Sequence, residues 1–253
     1  MRLEVSTLTM GHELPTHAAS ELEERGFVVL PGVVPARDVE RLSSAYDAAV
    51  TAATGDDVRI GSTSTKVNDF VNRGAAFDHV YVYPPLLEAC SRVIGRPFKL
   101  SSFHARTLRP GAHAQELHVD VPRDSADWPL LGFILMVDAF RPDNGATRCV
   151  PGSHRWSHTP EHAMKDVRAA HDAEVLACGA AGSLLVFNGS VWHGHTANTS
   201  NGSRRSIQGA FIPREGRAAT DFAARMQPGT RARLGPLAHL VLDMPAMNSL
   251  DKC

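Results

Sequence analysis

The sequence predicts a mainly β protein with flanking helices, on three observations. From about residue 97 onward, short alternating or wholly apolar segments recur between Gly, Pro and Asn turn signals. That is the grammar of a sandwich or barrel. Before that point apolar residues recur at helical spacing instead. The length of 253 residues, 43% of them hydrophobic, suffices for one sizeable core. No internal repeat or low-complexity linker divides the chain. A single domain over 1–253 is expected, with a helical N-terminal part over about 1–96, a β core over about 97–215 and a C-terminal extension.

In chain order, "ASELEERGFVVLPGVV" reads as a short helix stopped at Gly26 and followed by a strand. "PARDVERLSSAYDAAVTAAT" places Pro35 near a helix start, with Val39, Leu42, Ala45, Tyr46 and Ala49 at helical spacing. "PPLLEACSRVIG" is a further helix ending at Gly95. The β grammar opens with "FKLSSFHARTL", is broken by "RPGAH", and continues with "ELHVDV". "GFILMVDAF" precedes the turn "RPDNGA", "GSLLVF" precedes "NGS", and "RRSIQGAFI" precedes "PREG". Among these lies "HRWSHTPEHAMKDVRAAHDAE", polar and rich in histidine, expected to be a partly helical excursion over the mouth of the barrel. Its His154, His158, His162 and His171 are expected mostly in solvent, with one or two reaching the pocket if the segment is a lid, and Trp128 and Trp156 in the core or a loop.

Lys and Arg number 26 against 27 Asp and Glu, and no basic run appears, so a nucleic-acid partner is not expected. Nor does the sequence show an obvious basic cluster for the pyrophosphate of a coenzyme A. Cys90, Cys149, Cys178 and Cys253 form no C-x-x-C pair. Their spacing suggests neither zinc nor a disulfide framework, and free thiols fit a reducing cytosol. The N-terminus lacks an apolar signal region, and runs such as "LLGFILMV" are too short to span a bilayer. A cytoplasmic protein is the expectation.

The chemistry begins with "LHVD". In a strand, His118 and Asp120 share one face while Leu117, Val119 and Val121 share the other. A plain surface strand shows the same alternation. The second stretch, "GSLLVFNGSVWHGHTANTSNGSRRSIQGAF", adds what the first lacks. After the turn Asn188-Gly189, an extended segment puts His193 and His195 on one face. After Asn201-Gly202, a further strand puts Arg204, Ser206 and Gln208 on one face and Ile207 and Phe211 on the other. An arginine on a polar face is therefore one hairpin from a histidine. Two imidazoles and one carboxylate hold Fe(II) while leaving coordination positions open. A 2-oxo acid fills two of them and O2 the last. The planar fork of an arginine pairs bidentately with the far carboxylate of such a co-substrate.

The ordered set "LHVD", "DNGATRCVPGSH", "GSLLVFNGSVWHGHTANTS" and "RRSI" resembles the phytanoyl-CoA dioxygenase family of Fe(II)/2-oxoglutarate oxygenases, over roughly residues 20 to 215. The resemblance implies a double-stranded β-helix, or jelly roll, with an N-terminal helical layer. It implies His118, Asp120 and His193 as metal ligands and Arg204 as the 2-oxoglutarate anchor. It further matches Gln115, Thr147 and Asn68 to polar positions that contact 2-oxoglutarate in some members. Strict alternation sets Gln115 opposite His118 unless a bulge or a strand start intervenes. Many members carry Ser or Thr where this chain has His195, so His195 stays open as co-substrate contact, substrate contact or rival ligand. The Trp-His-Gly context favours His193. Arg205 is expected to be a structural or surface charge.

The implied activity uses O2 and 2-oxoglutarate to oxidise, most simply to hydroxylate, an unactivated C–H bond of a small organic substrate, releasing succinate and CO2. The retained Asp120 argues against halogenation, which needs that position vacant. A high Ala and Arg content leans toward natural-product tailoring. An acyl-CoA or acyl-carrier hydroxylase is the alternative within the family. A non-oxidative, cupin-like isomerase or binding protein is the alternative outside it. The sequence leaves oligomeric state open.

Overall fold

Glycine decides where the first and third helices stop. In the computed structural model, which describes residues 13–123 and 129–245, helix α1 (Thr16–Arg25) ends at Gly26, whose φ is 83°. The chain then enters strand β1 (Phe27–Leu30). Helix α2 (Val39–Thr51) follows Pro35 and a short 3-10 turn, and buries Leu42, Tyr46 and Ala49 with Val39 and Ala45 packed beside them. Strands β2 (Val58–Ile60) and β3 (Ser64–Val67) come next. Helix α3 (Pro84–Ile94) starts on two prolines and ends at Gly95, φ 67°. Both glycine caps occupy the left-handed region, where a Cβ is strained.

The remaining strands are β4 (Phe98–Leu108), β5 (Leu131–Met136), β6 (Thr147–Cys149), β7 (Val175–Ala177), β8 (Leu184–Asn188), β9 (His193–His195) and β10 (Arg204–Pro213). They form two sheets, a seven-stranded one in the order β1-β8-β5-β10-β4-β3-β2 and a three-stranded one in the order β7-β6-β9. Every pairing is antiparallel. The architecture is the expected jelly roll with flanking helices.

The large sheet is buried on both faces, which explains its unbroken apolar runs. On β5, Leu131, Phe133 and Leu135 join the cluster that includes α2 and α3, while Ile134 and Met136 turn inward to Ala146, Cys149 and Ala177. On β8, Leu184 and Val186 face the helices, and Leu185 and Phe187 face inward. Toward β10 and β4 the inner face changes character. There it carries Arg204, Ser206 and Gln208 opposite Leu108, Arg106 and His104. A bulge re-phases β4: Ala210 pairs with Ser102 and Phe211 with Leu100, leaving Ser101 unpaired.

Two expectations change in the folded chain. "ELHVDV" does not form a strand; His118 pairs with His193 in a single bridge. Asp120 and Val121 both donate to the Gly189 carbonyl, so the backbone bends where a ladder would continue. The part before residue 97 is not wholly helical, since β1, β2 and β3 supply both ends of the main sheet. Strands β2, β3, β6 and β7, like β1 and β9, are only three or four residues long, too short to leave a periodic signal. The C-terminal extension adds short helices whose Phe222, Leu234, Ala238 and Val241 join the helix-side core. Trp128 lies outside the described residues. Among the described residues, no helix is long and apolar enough to cross a membrane.

Candidate active site

His118, Asp120 and His193 come together from two chain segments locked by backbone hydrogen bonds. His118 and His193 exchange N–H···O=C bonds of 3.0 Å each, and the Asp120 N–H reaches the Gly189 carbonyl at 2.8 Å. One ligand atom from each of the three side chains lies within 4.8 Å of the others. The Nε2 atoms of His118 and His193 stand 4.0 and 3.9 Å from one Asp120 oxygen, too far for a hydrogen bond. The outer nitrogens decide the ring orientation. His118 Nδ1 sits 2.9 Å from the Glu116 carbonyl and His193 Nδ1 sits 3.0 Å from the Val191 carbonyl. A carbonyl only accepts, so each Nδ1 carries the proton and each Nε2 turns a lone pair toward the centre. Burial, with His118 and Arg106 nearby, pushes the His193 imidazole down, partly offset by Asp120, so the ring stays neutral and able to bind a metal. The donor set of two neutral imidazoles and an exposed carboxylate suits a divalent transition metal with open positions.

The three groups open into a cavity of about 320 Å³ in the barrel interior. Arg204 lines it, 1% exposed, with its guanidinium 4.2 Å from the Phe140 ring centroid and its Nε without a hydrogen-bond partner among the described residues. Burial and then Arg106 push its pKa down to about 9. Its neighbour Arg205 points the other way, into Asp138 and Asp47, the structural role expected of it. Thr147 and Gln115 also line the cavity. Gln115 arrives there because the segment before His118 is irregular and alternation does not apply; its N–H donates to the His195 carbonyl at 2.9 Å. Asn68 is not among the lining residues; its N–H and C=O are taken by Asp57 and Arg73. His195 lines the wall, its Nδ1 held by the Thr196 carbonyl, and burial pushes it down to about 4. Its side chain lies outside the three-residue cluster.

A family model described as Phytanoyl-CoA dioxygenase (PhyH) matches residues 22–206, well over half of the chain. The chain belongs to the phytanoyl-CoA dioxygenase family. It is 28% identical over 225 residues to the multifunctional dioxygenase prhA of Penicillium brasilianum, covering 79% of this chain and 73% of that one. To the iron/alpha-ketoglutarate-dependent dioxygenase okaE of Penicillium ochrochloron it is 25% identical over 219 residues, covering 79% and 70%. Among solved structures, HygX of Streptomyces hygroscopicus with nickel and 2-oxoglutarate bound superposes with a TM-score of 0.66 at 16% identity, covering 81% and 89%. The epimerase SnoN from nogalamycin biosynthesis superposes at 0.63 and 19%, covering 78% and 82%.

This phytanoyl-CoA dioxygenase family member also has site features that sequence reasoning missed. Ser102, His104 and Arg106 of β4 line the cavity on one face. Their signal was available as the polar half of the alternating stretch "SSFHARTL". Arg148 was missed as well. It is 2% exposed and fastens the histidine-rich excursion, donating to the carbonyls of Gln115, Ala169, Val167 and Arg168 and to Glu174. In that excursion His158 and His171 pack on Trp156 and Trp192 and so lie outside the cavity lining.

Proposed function

We propose that the chain is an Fe(II)- and 2-oxoglutarate-dependent dioxygenase that oxidises an unactivated C–H bond of a small organic substrate, in the tailoring of a natural product. The observation that carries this reading is the pairing of the His118–Asp120–His193 cluster with a buried arginine that has no ion-pair partner among the described residues, in one cavity. His118, Asp120 and His193 would hold the metal, and Arg204 the distal carboxylate of 2-oxoglutarate. When bound, iron and 2-oxoglutarate supply the oxidising chemistry, consuming O2 and leaving succinate and CO2.

The chain's own residues provide the setting. The Glu116 and Val191 carbonyls keep both imidazoles in the tautomer that offers Nε2. Phe140 packs against the Arg204 guanidinium, so its fork meets a carboxylate with little ordering cost. Gln115 and Thr147 offer hydrogen bonds along the same wall. Phe187, against His193 at 4.6 Å between ring centroids, and Ile134 give the wall an apolar side that would keep water from the reacting carbon. The tailoring role draws on HygX, solved with hygromycin B bound, and on SnoN. A non-oxidative metal isomerase has no use for Arg204.

The test is an anaerobic visible spectrum of the protein titrated with Fe(II) and then 2-oxoglutarate. A charge-transfer band in wild type that is missing in His193→Ala, with succinate released on admitting O2, is the expected result. A folded protein that takes up Fe(II) and shows no band overturns the reading.

A further inference from the structure

The cavity runs along the inner face shared by β4 and β10, and its two ends differ. Arg204 and Ala210 both line it, six positions apart on one strand face, so about 20 Å separates them at about 3.3 Å per residue. The metal cluster lies at the Ala210 end. Ala210 pairs with Gly132 and Gly132 with Phe187, whose ring packs on His193. The Leu130 carbonyl accepts from the Gly189 N–H at 2.7 Å, and the Gly189 carbonyl accepts from Asp120. Among the described residues, Ala219 alone lines the cavity from the C-terminal extension, and it lies beyond residue 206, where the match to the family model stops. Its place there is built. The bulge in β4 leaves Ser101 out of the ladder, and Ser101 turns its freed groups on the extension. Its Oγ accepts from the Ala219 N–H at 3.0 Å and its carbonyl from the Thr220 N–H at 2.9 Å. Ser101 is buried, so this clasp is shielded from water, whereas Ala219 is exposed and stands where the cavity meets solvent. Next along the chain, Asp221 caps a short helix whose Phe222 enters the helix-side core. The extension is thus fastened on both sides of Thr220 and forms part of the cavity rim.

A cavity of about 320 Å³ is near the small end for ligand sites, which run from about 300 to 1,000 Å³. Under the proposed function it holds a metal and 2-oxoglutarate before any substrate. Only the reacting end of a substrate then fits inside, and the rest crosses the rim. We propose that Ala219 is a specificity-determining residue, its small side chain admitting the body of a neutral, largely apolar substrate, and that Ser101 is the residue that positions it. The inference rests on the proposed function in placing 2-oxoglutarate toward Arg204 and the substrate toward Ala219. The lining of this end favours such a substrate: Leu130, Phe187 and Ala219 are apolar, Ser102 brings a hydroxyl, and the charge of Asp120 is committed to the metal.

The experiment follows the visible charge-transfer band of the full chain, loaded anaerobically with Fe(II) and 2-oxoglutarate, as cyclohexanol or the wider decahydro-2-naphthol is added. An alcohol that settles beside the metal shifts the band, and wild type responds to both. Ala219→Trp and Ala219→Phe fold like wild type, because the position is exposed. Each weakens decahydro-2-naphthol by about tenfold or more and cyclohexanol by no more than about twofold. Adding Ser101→Ala to Ala219→Trp removes the hydroxyl that holds the rim, and part of the lost decahydro-2-naphthol affinity returns. A Ser101 that serves only the fold gives no such recovery, and that result overturns its positioning role. The proposal as a whole is overturned if neither alcohol shifts the wild-type band, if both Ala219 variants bind decahydro-2-naphthol like wild type, or if they lose the two alcohols equally. If no band forms with Fe(II) and 2-oxoglutarate, the proposed function fails instead, and calorimetric titration of the same alcohols onto metal-free protein decides the role of Ala219.

Discussion

Replacing Arg148 by methionine tests whether a residue remote from the metal builds the site. The residue is 2% exposed and its guanidinium reaches the Gln115 carbonyl at 2.8 Å, the Ala169 carbonyl at 2.9 Å and Glu174 at 3.2 Å. Methionine keeps much of the volume and none of the donors. Glu174, its side chain only 16% exposed, becomes a carboxylate without a counter-ion, and breaking such a pair costs about 3–5 kcal/mol. For a chain of this length each kcal/mol moves the melting temperature by roughly 2–4 °C, so the fall is about 6–20 °C. Adding Glu174→Gln removes the orphaned charge and recovers part of the loss, a coupling that a double-mutant cycle reads directly. The loss should also reach the metal. Arg148 anchors the segment that runs from Gln115 to His118, and the Leu117 N–H donates to Val167 in the excursion that Arg148 holds. Thermal unfolding followed by circular dichroism and an Fe(II) titration are the two measurements. A loss below about 1 kcal/mol, the worth of an exposed pair, together with unchanged Fe(II) affinity, would refute the reasoning.

Asp120→Ala should unfold as cooperatively as wild type, because the carboxylate is exposed and holds nothing in the core. Wild type gains about 2.7 kcal/mol from Mn(II) at a hundred times its dissociation constant, and the variant should gain almost none; an equal gain excludes Asp120 as a ligand. In Gly194→Ala the new Cβ would meet the Glu116 and Gln115 carbonyl oxygens at 2.9 and 3.1 Å. Backbone cannot swing aside as a side chain can, so Fe(II) affinity should drop by about tenfold through the displaced His118; a wild-type titration curve counts against this. Burial, then Lys66 and Arg106, push the His104 imidazole from 6.5 down to about 3. Between those values the unfolded chain binds a proton that the native chain does not. Stability is therefore full above about pH 6.5 and falls on acidification at about 1.4 kcal/mol per pH unit from this group. Urea midpoints at pH 7 and pH 5 should differ less in His104→Gln, and identical differences would remove His104 as a cause.

Much of this protein is local information, and local information is what a sequence displays. The caps at Gly26 and Gly95, the face of α2 and the apolar cores of β5 and β8 follow from backbone sterics and side-chain periodicity. The candidate ligands were legible because each lies in a short stretch with its own pattern, "LHVD" and "WHGH", and because Arg204 follows one hairpin later. Alternation misplaced Gln115, because the segment before His118 is irregular and the Gln115 N–H is tied instead to the His195 carbonyl.

Tertiary structure decided what depends on pairing across distance. Strands of three residues exist here only because a neighbour supplies their hydrogen bonds. The row of Arg59, Lys66 and Arg106, paired across β2, β3 and β4, comes from three strands and leaves no basic run in a chain of net charge -1. Composition counts charges, whereas electrostatics depends on their separation and on the water removed from around them. Register between β2, β3 and β4 sets the first, and burial in the barrel sets the second.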